Sequence, residues 1–319
     1  MNPDLDWRPG AGREALAQRA GLYRRLRRFM DQRGILEVET PMLSRGGATD
    51  RHLHSLACAQ PDGSRRWLHT SPEFPMKRLL AAGSGAIYQI CRVFREGERG
   101  RLHNPEFTLL EWYRPGFDHH LLMDELEELL AELRPGWRCS RVTYAGVFRE
   151  RLDLDPHEAQ VEVLREAARI AGLRVERLEG DRDDWLDLLF SHCIAPTLGR
   201  GGPCLVHDYP ASQAALARVR PGTPPVAERF ELFIEGMEIA NGFHELTDAA
   251  EQERRFLEDN RRRGEAGLPA MPPDHRLLAA LEAGLPDCAG VAVGLDRLLM
   301  ALHGHRHIDQ VLAFPWERA

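Results

Sequence analysis

Four carboxylates lie close together in the segment 230–248, FELFIEGMEIANGFHELTD, in a setting too apolar to be a solvated acidic face. They are Glu231, Glu235, Glu238 and Glu245. Acids held on a buried sheet need a compensating cation, which can be a metal ion, an ammonium group or an arginine. The segment therefore predicts a cation-binding site. A hairpin whose acids pair with surface arginines is the open alternative.

Alternation within this segment predicts two strands. In the first, the side chains fall on two faces: Glu231, Phe233 and Glu235 on one, Leu232 and Ile234 on the other. In the second, Met237 and Ile239 bracket Glu238, so that this strand presents the carboxylate while it buries the neighbours. The Asn241-Gly242 pair predicts a turn or a close backbone approach.

Three places carry arginine away from helix surfaces. Arg95 ends an apolar strand, and Arg99 and Arg101 lie in the loop that follows. Arg297 follows Gly-Leu-Asp at a strand-to-helix turn. Two parallel N–H donors of a guanidinium match two phosphate oxygens, and the sequence has no glycine-rich phosphate loop, so arginines must hold any nucleotide. The alternative for each arginine is an ordinary salt bridge.

Hydrophobic periodicity predicts the elements that position these residues. Helices are predicted over 13–33, 74–82, 119–134, 157–171, 183–194, 249–263, 274–283 and 294–302. Strands are predicted over 35–39, 67–70, 86–95, 106–113, 204–207 and 290–293, besides the two strands of the acidic segment. Strands 86–95 and 106–113 form an antiparallel hairpin around a loop rich in Arg and Gly. The order predicts a single α+β domain over 1–319, an antiparallel sheet flanked by helices.

The bulk composition narrows the class of protein. The 319 residues carry a net charge of -7, which argues against a protein that grips a polyanion over a wide surface. Six cysteines without a C-x-x-C pair predict neither a zinc ribbon nor a disulfide scaffold, and favour a reducing compartment. The sequence shows neither a signal peptide nor a membrane-spanning run, so we expect a cytoplasmic protein without a membrane partner.

Several separated motifs occur in one order: RVFREG at 92–97, HNPEFT at 103–108, EIANGFHELTD at 238–248 and GVAVGLDR at 290–297. Together with Pro41 after a helix and strand, they resemble the three signature motifs of the class II aminoacyl-tRNA synthetases. TSPEFPMKRLL at 70–80, HNPEFTLLEWY at 103–113 and ANGFHELTD at 240–248 are similar to the lysyl-tRNA synthetase subgroup. The resemblance runs from about residue 13 to the C-terminus and implies a class II catalytic domain.

The resemblance implies an ATP site. Arg95 would contact the α-phosphate and Arg297 the γ-phosphate, which makes both catalytic, because fixed cations stabilise the charge that adenylation develops. The other ATP-binding residues that it implies are Glu96, Gly97, His103, Asn104, Glu238, Ile239 and Gly294. Glu231 and Glu238 match acids that hold Mg²⁺, a cation that prefers oxygen ligands.

The resemblance also implies a site for a substrate with two ammonium groups and a carboxylate. Ser71 and Glu73 match the site for the backbone amine, and Asn241 could orient the carboxylate. Glu111, Tyr113 and Glu245 match the side-chain ammonium pocket, whose buried acids reject uncharged isosteres. The alternatives are a Glu111 that pairs across strands with an arginine and an ordinary half-buried Tyr113.

One departure from the synthetases changes the expected acceptor. They carry an anticodon-binding OB domain, and we expect no such N-terminal domain here, since about a dozen residues precede the first helix. A free-standing catalytic domain resembles the ligases that activate (R)-β-lysine with ATP and pass it to a lysine of elongation factor P. Ala292 stands where the synthetases usually have glycine, and we hypothesise that its methyl group favours a β-amino acid.

The resemblance implies two steps and a homodimer. The substrate carboxylate attacks the α-phosphorus and releases pyrophosphate, and an incoming amine then attacks the acyl-adenylate carbonyl. The first helix and the strand before Pro41 form the dimer interface across the class. The alternatives are an enzyme that charges tRNA with lysine, disfavoured by the net charge, and an inactive relic that regulates, disfavoured because the phosphate arginines and metal acids are present.

Two further features are predicted to be structural. The alternating histidines His303, His305 and His307 indicate a polar turn rather than a metal site. The Arg261–Arg263 run indicates a solvated helix end.

Overall fold

A computed structural model describes residues 7–175 and 179–319. The chain forms two compact units. We call the first the split unit, which holds residues 7–117 together with Thr247–Ala319, and the second the inserted unit, Asp118–Leu246. The single domain predicted over 1–319 stays a prediction.

Helices and strands alternate irregularly along the chain. The helices of the described residues are α1 (Arg13–Gln32), α2 (Glu73–Ala81), α3 (His119–Leu133), α4 (Tyr144–Leu152), α5 (Val161–Ile170), α6 (Arg182–Leu189), α7 (Ala249–Glu265), α8 (His275–Gly284) and α9 (Leu295–His303). The strands are β1 (Leu36–Glu37), β2 (Leu43–Ser44), β3 (Ala57–Ala59), β4 (Arg65–Leu68), β5 (Ile87–Phe94), β6 (Glu106–Pro115), β7 (Ser140–Thr143), β8 (Cys204–Pro210), β9 (Val219–Arg220), β10 (Val226–Ile234), β11 (Met237–His244) and β12 (Cys288–Gly294).

The split unit is built on strands in the order β1-β5-β6-β12. The β5–β6 and β6–β12 pairs are antiparallel, as predicted for the first of them, and β1 joins β5 in parallel. A separate small sheet has the order β2-β4-β3. Residues 108–113 of β6 are all buried, because β6 has a strand on each side and both of its faces are covered.

Helix α1 packs into the core of this unit through one apolar stripe. Leu22, Leu26, Phe29 and Met30 recur at helical spacing and are all buried, while arginines occupy the positions between them. Each such side chain contributes about 1.5–3 kcal/mol by leaving water. The amphipathic pattern therefore explains both the helix and the face that it buries.

The inserted unit has its own sheet and core. Its strands run in the order β11-β10-β8-β7, with β9 also paired to β10, and β7 joins β8 in parallel while the β8–β10 and β10–β11 pairs are antiparallel. An aromatic cluster fills the core. Its rings come from α4, the turn after α6, β8 and β10: Tyr144, Phe148, Phe190, Tyr209 and Phe233. These contacts confirm the α+β prediction, with mainly antiparallel pairing and helices packed around it.

The acidic segment forms the predicted hairpin, but its first strand does not alternate. Residues 230–234 of β10 are buried without a break, because both faces of this strand are covered. Glu235 was predicted on the strand and instead lies exposed in the turn with a φ of 52°. The second strand behaves as predicted: Glu238 is exposed between buried Met237 and Ile239.

Asn241-Gly242 lies inside β11, so the turn reading is wrong and the close-approach reading is confirmed. A Cβ added to Gly242 would come within 2.4 Å of the Phe230 ring. The turn of the hairpin falls instead at Glu235-Gly236, where both residues adopt positive φ.

Other boundaries differ from the predictions. The strand predicted at 35–39 has only two paired residues, and β7, α4 and β9 were not predicted, because short elements carry little periodicity. Arg263 was predicted at a solvated helix end and is 2% exposed; its Nε donates to Pro269 O and its Nη1 to Asp50 O. Within residues 7–175 and 179–319, every helix is too short or too polar to cross a membrane.

Candidate functional site

The carboxylate of Glu111 lies in the middle of the split unit's sheet. Glu111 is 2% exposed, and β6 places it between its cross-strand neighbours Gln89 on β5 and Ala292 on β12. Directly paired residues share one face of a sheet, so Gln89 and Ala292 line the same surface as the carboxylate. These neighbours show that the alternative of a cross-strand arginine is wrong.

Two hydroxyl groups hold Glu111 in place. Ser71 Oγ donates to Glu111 Oε2 at 2.7 Å, and the Tyr113 hydroxyl donates to Oε1 at 2.7 Å. Tyr113 is two residues from Glu111 on the same strand, so it faces the same side. The structure therefore brings together Ser71, Glu111 and Tyr113, three of the predicted amine-binding residues. We call these three residues, together with Glu73, the Glu111 cluster.

Glu73 joins this cluster from the first turn of α2. Its backbone N–H donates to Ser71 Oγ at 3.0 Å, and its Oε1 accepts from Lys77 Nζ at 2.6 Å. Lys77 is 1% exposed, which makes it a buried cation one helical turn from Glu73. Lys77 was not singled out from the sequence, although its i,i+4 spacing from Glu73 was the available signal.

The environment of Glu111 favours its neutral form until a cation arrives. Burial, reinforced by the negative charge of Glu73, raises the pKa of Glu111 to about 7. The hydrogen bonds from Tyr113 and Ser71, and the charge of Lys77, oppose this rise in pKa. An ammonium group bound beside the carboxylate would stabilise the ionised form, so the cluster suits a positively charged amine.

Arg95 and Arg297 both donate hydrogen bonds to backbone carbonyl groups of residues 102–105. The Arg95 backbone N–H donates to Pro105 O at 2.9 Å, and Arg297 Nε donates to Leu102 O at 3.1 Å. The Arg95 guanidinium stacks over Phe107 at 5.0 Å and has Glu98 at 3.5 Å. Within the described part of the chain, Arg95 Nε is buried without a hydrogen-bond partner, a feature that fits an anionic ligand such as a phosphate.

The loop residues divide into exposed and anchored ones. Glu96, Gly97 and His103 are exposed, and Gly97 has a φ of 80° that suits glycine. Asn104 is buried, where its side chain donates to Glu106 O at 2.6 Å and accepts from Trp316 N at 2.9 Å. Asn104 thus shapes the loop, and its contact with ATP stays a prediction.

Asp296 anchors the helix that carries Arg297 and was missed by sequence reasoning. It is 2% exposed, pairs with Arg19 of α1, and accepts from the Thr108 backbone N–H at 2.7 Å. Gly294, predicted to bind ATP, is the N-cap of α9. A single buried carboxylate therefore links α1, β6 and α9, and the GLDR motif that contains it was the available signal.

In the inserted unit, Arg229 contacts two of the predicted site residues, Glu231 and Asn241. Its Nη2 lies 2.5 Å from Glu231 Oε1, and its Nε donates to Asn241 Oδ1 at 3.3 Å. Glu231 and Asn241 are directly paired across β10 and β11. Arg229 is the compensating cation that burial of Glu231 requires, and it was not identified from the sequence.

Glu231 and Glu238 fit a divalent cation. The pKa of Glu231 is raised to about 7. Burial is the largest cause, the charge of Arg229 opposes the rise, and the charge of Glu238 adds to it. Carboxylates that repel each other are stabilised by a cation with oxygen preference, such as Mg²⁺. Of the other predicted residues, Ile239 is buried on β11, and Glu245 is 1% exposed just beyond it. Glu235 pairs with the exposed Arg200, which agrees with the alternative that acids of the hairpin pair with surface arginines.

The chain belongs to the class II aminoacyl-tRNA synthetase family. The family described as tRNA synthetases class II (D, K and N) matches residues 2–318. The elongation factor P–(R)-β-lysine ligase of Vibrio cholerae is 52% identical over 320 residues, 98% of this chain and 99% of the relative. Proteins of the same name from Edwardsiella ictaluri and Histophilus somni are 47% and 48% identical, over 100% and 98% of both chains. The predicted resemblance is confirmed.

Replacement of Asp296 by asparagine tests its anchoring role. Asp296→Asn leaves Arg19 without its ionised partner in a buried position, and we expect a loss of about 3 kcal/mol in the free energy of unfolding. Urea denaturation measures this loss. Glu265→Gln, which removes an exposed partner of Arg261, is the control and should change nothing measurable. Equal stabilities of the Asp296→Asn protein and wild type would contradict the role.

Proposed function

We propose that this chain activates (R)-β-lysine with ATP and transfers the β-lysyl group to a lysine side chain of elongation factor P. The Glu111 cluster is the observation that carries the proposal, because a buried carboxylate braced by two hydroxyl groups suits an ammonium group. Relatives that align over nearly the whole chain are named for ligation of (R)-β-lysine to elongation factor P. Lysine is the close analogue that the same cluster would have to distinguish.

The first step forms an acyl-adenylate. A carboxylate oxygen of the substrate attacks the α-phosphorus of ATP, the bond to the bridging oxygen breaks, and pyrophosphate leaves. Arg95 stabilises charge at the α-phosphate and Arg297 at the γ-phosphate. Glu231 and Glu238 would hold Mg²⁺, which would supply positive charge for the phosphates. Glu96, Gly97 and the rest of the loop 96–104 frame the nucleotide.

The second step transfers the acyl group. The neutral amine of the acceptor lysine attacks the adenylate carbonyl, AMP leaves, and the amine nitrogen loses one proton. An amine is a stronger nucleophile than a ribose hydroxyl, so positioning accounts for most of this step. No residue is assigned as a general base.

The active protein is a homodimer in the cytoplasm. Three large apolar side chains lie exposed just after α1: Leu36, Met42 and Leu43 are 58%, 42% and 46% exposed. Apolar side chains grouped on a surface mark a contact with a partner, and this segment forms the dimer interface across the class. A monomer in sedimentation equilibrium of the full chain would contradict this assignment.

The acceptor is identified by a transfer assay with two arms. The full chain, Mg-ATP and labelled (R)-β-lysine are incubated with elongation factor P or with tRNA, and we expect label on the protein alone. Arg297→Ala should lower pyrophosphate exchange by about 100-fold or more, because it removes a phosphate contact. Arg169→Ala, which removes an exposed arginine of α5 that pairs with Glu166, is the control and should leave the exchange rate unchanged. Label on tRNA alone would overturn the proposal in favour of aminoacylation.

Titration of Glu111 predicts how amine binding depends on pH. Its pKa is raised to about 7, so the ionised form that binds an ammonium group is lost as pH falls through 7. We expect the KM for the amino acid in pyrophosphate exchange to fall about tenfold between pH 6 and pH 8. Glu111→Gln should raise KM and remove this dependence, whereas Glu106→Gln, on the exposed end of the same strand, should retain it. A flat profile for wild type would contradict the assignment.

Ala292 tests the choice between α- and β-amino acids. Its methyl group lies on the strand position directly opposite Glu111 and is half-buried, so it limits the space beside the carboxylate. We expect Ala292→Gly to shift the ratio of kcat/KM for (R)-β-lysine over lysine toward lysine by about tenfold. Pyrophosphate exchange with each amino acid measures the ratio. An unchanged preference would refute the role of the methyl group.

A further inference from the structure

Two histidines and a glutamate meet inside the inserted unit, and none of the three has been given a role above. They are His119, Glu228 and His244, and one ligand atom from each lies within 4.8 Å of the others. His119 is the first residue of α3, Glu228 lies in β10, and His244 ends β11. We call this group the His119 cluster.

His119 is a buried polar side chain with unsatisfied nitrogens. It is 1% exposed, and among residues 7–175 and 179–319 neither ring nitrogen has a hydrogen-bond partner. Its Nε2 lies 3.8 Å from Asp208 Oδ1, too far for a hydrogen bond, and its ring packs 4.1 Å from that of His120. Buried imidazole nitrogens are otherwise nearly always bonded, so this arrangement indicates a ligand.

The other two members are already oriented by their neighbours. His244 Nδ1 lies 2.6 Å from Glu228 Oε2, and Glu228 Oε1 lies 3.5 Å from Arg220 Nη1. Arg220 also donates to Asp208 Oδ1 at 2.9 Å. Arg220 thus holds the carboxylates of Glu228 and Asp208 in a fixed orientation, as the outer partners of metal-binding side chains do.

The charge of the surroundings favours a cation. Glu228 and Asp208 contribute two negative charges, and Arg220 contributes one positive charge, which leaves one excess negative charge. The register between β8 and β10 shifts between Ala227 and Phe230, and this bulge lies next to Glu228. Bulges redirect side chains, which explains how Glu228 reaches α3.

We propose that His119, Glu228 and His244 bind a divalent transition-metal ion of the zinc class, with Asp208 as the fourth ligand. Two imidazole nitrogens and carboxylate oxygens form a ligand set typical of zinc, whereas Mg²⁺ prefers oxygen alone. A tetrahedral ion with bonds of about 2.0–2.2 Å requires side-chain rotation, which brings His119 Nε2 and Asp208 Oδ1 closer together and moves His244 Nδ1 away from Glu228 Oε2. The ion would tie the start of α3 to the β10–β11 hairpin, so its role is structural.

Metal binding to the intact chain tests the proposal. The full-length protein is freed of metal with a chelator and titrated with Zn²⁺ in equilibrium dialysis. We expect His119→Gln and Glu228→Gln each to lower the zinc affinity by about 100-fold, because each removes one ligand. The control is His120→Gln, a change of the adjacent, exposed histidine, which should bind as wild type does. Equal zinc affinities of wild type and the His119→Gln protein would overturn the site.

Cobalt distinguishes this site from the cysteines and from the magnesium acids. With Co²⁺ in place of zinc, wild type should show the strong visible bands of four-coordinate nitrogen and oxygen ligation, and His119→Gln should lose them. A thiolate-to-cobalt charge-transfer band would assign the ion to a cysteine and overturn the proposal. Loss of the bands in Glu238→Gln, with retention in His119→Gln, would assign it to the magnesium acids and overturn it equally.

Stability gives a readout that is independent of spectroscopy. Zinc should raise the Tm of wild type and of His120→Gln, and should leave the Tm of His119→Gln unchanged, because an ion that binds only the folded chain stabilises it. Circular dichroism in the presence of chelator checks that all variants are folded. An equal rise in Tm for His119→Gln would contradict the site.

Discussion

The burial of the Glu111 carboxylate in the middle of a sheet is the constraint on which the proposed amine site depends. A carboxyl group taken out of water must lose its charge or find donors, and Glu111 finds two hydroxyl groups that share its surface. The strands on either side supply Gln89 and Ala292, neither of which is charged. The buried cation of this cluster, Lys77, pairs with Glu73, so an ammonium group of the proposed substrate would supply the positive charge beside Glu111.

The same rule governs the other charged groups, with a different outcome at each. Glu231 and Asp296 are also buried, but each has an arginine of its own chain, Arg229 and Arg19. The Arg19–Asp296 pair is compensated within the chain and holds α1 against α9. Glu231 differs, because the charge of Glu238 acts on it in addition to that of Arg229. Arg95 has Glu98 beside its guanidinium, and the described part of the chain leaves its buried Nε without a hydrogen-bond partner.

Predictions from pattern succeeded where the pattern was local. Glu238 was placed on an exposed strand position because its two neighbours are apolar, and the structure agrees. The same reasoning was wrong for Glu235, because β10 ends at Ile234 and Glu235 lies in the following turn with a positive φ. The prediction that Arg263 is solvated was also wrong. A charged helix end is typical of a solvent-exposed position, but the loop that contains Asp50 covers this one.

The sequence by itself determined the order of the motifs, the family and most long helices and strands, and it predicted which residues bind phosphate and amine. These follow from residue types and from spacings of two to four positions, which are local properties. Only the tertiary structure decided the partners of the buried charges: Lys77 for Glu73, Arg229 for Glu231, Arg19 for Asp296, and the meeting of His119 with Glu228 and His244. The Arg19–Asp296 pair and the meeting of His119 with Glu228 and His244 depend on which distant segments pack together, which no spacing along the chain encodes. The Lys77–Glu73 and Arg229–Glu231 pairs are close in sequence, but only the fold shows that these side chains are buried against each other.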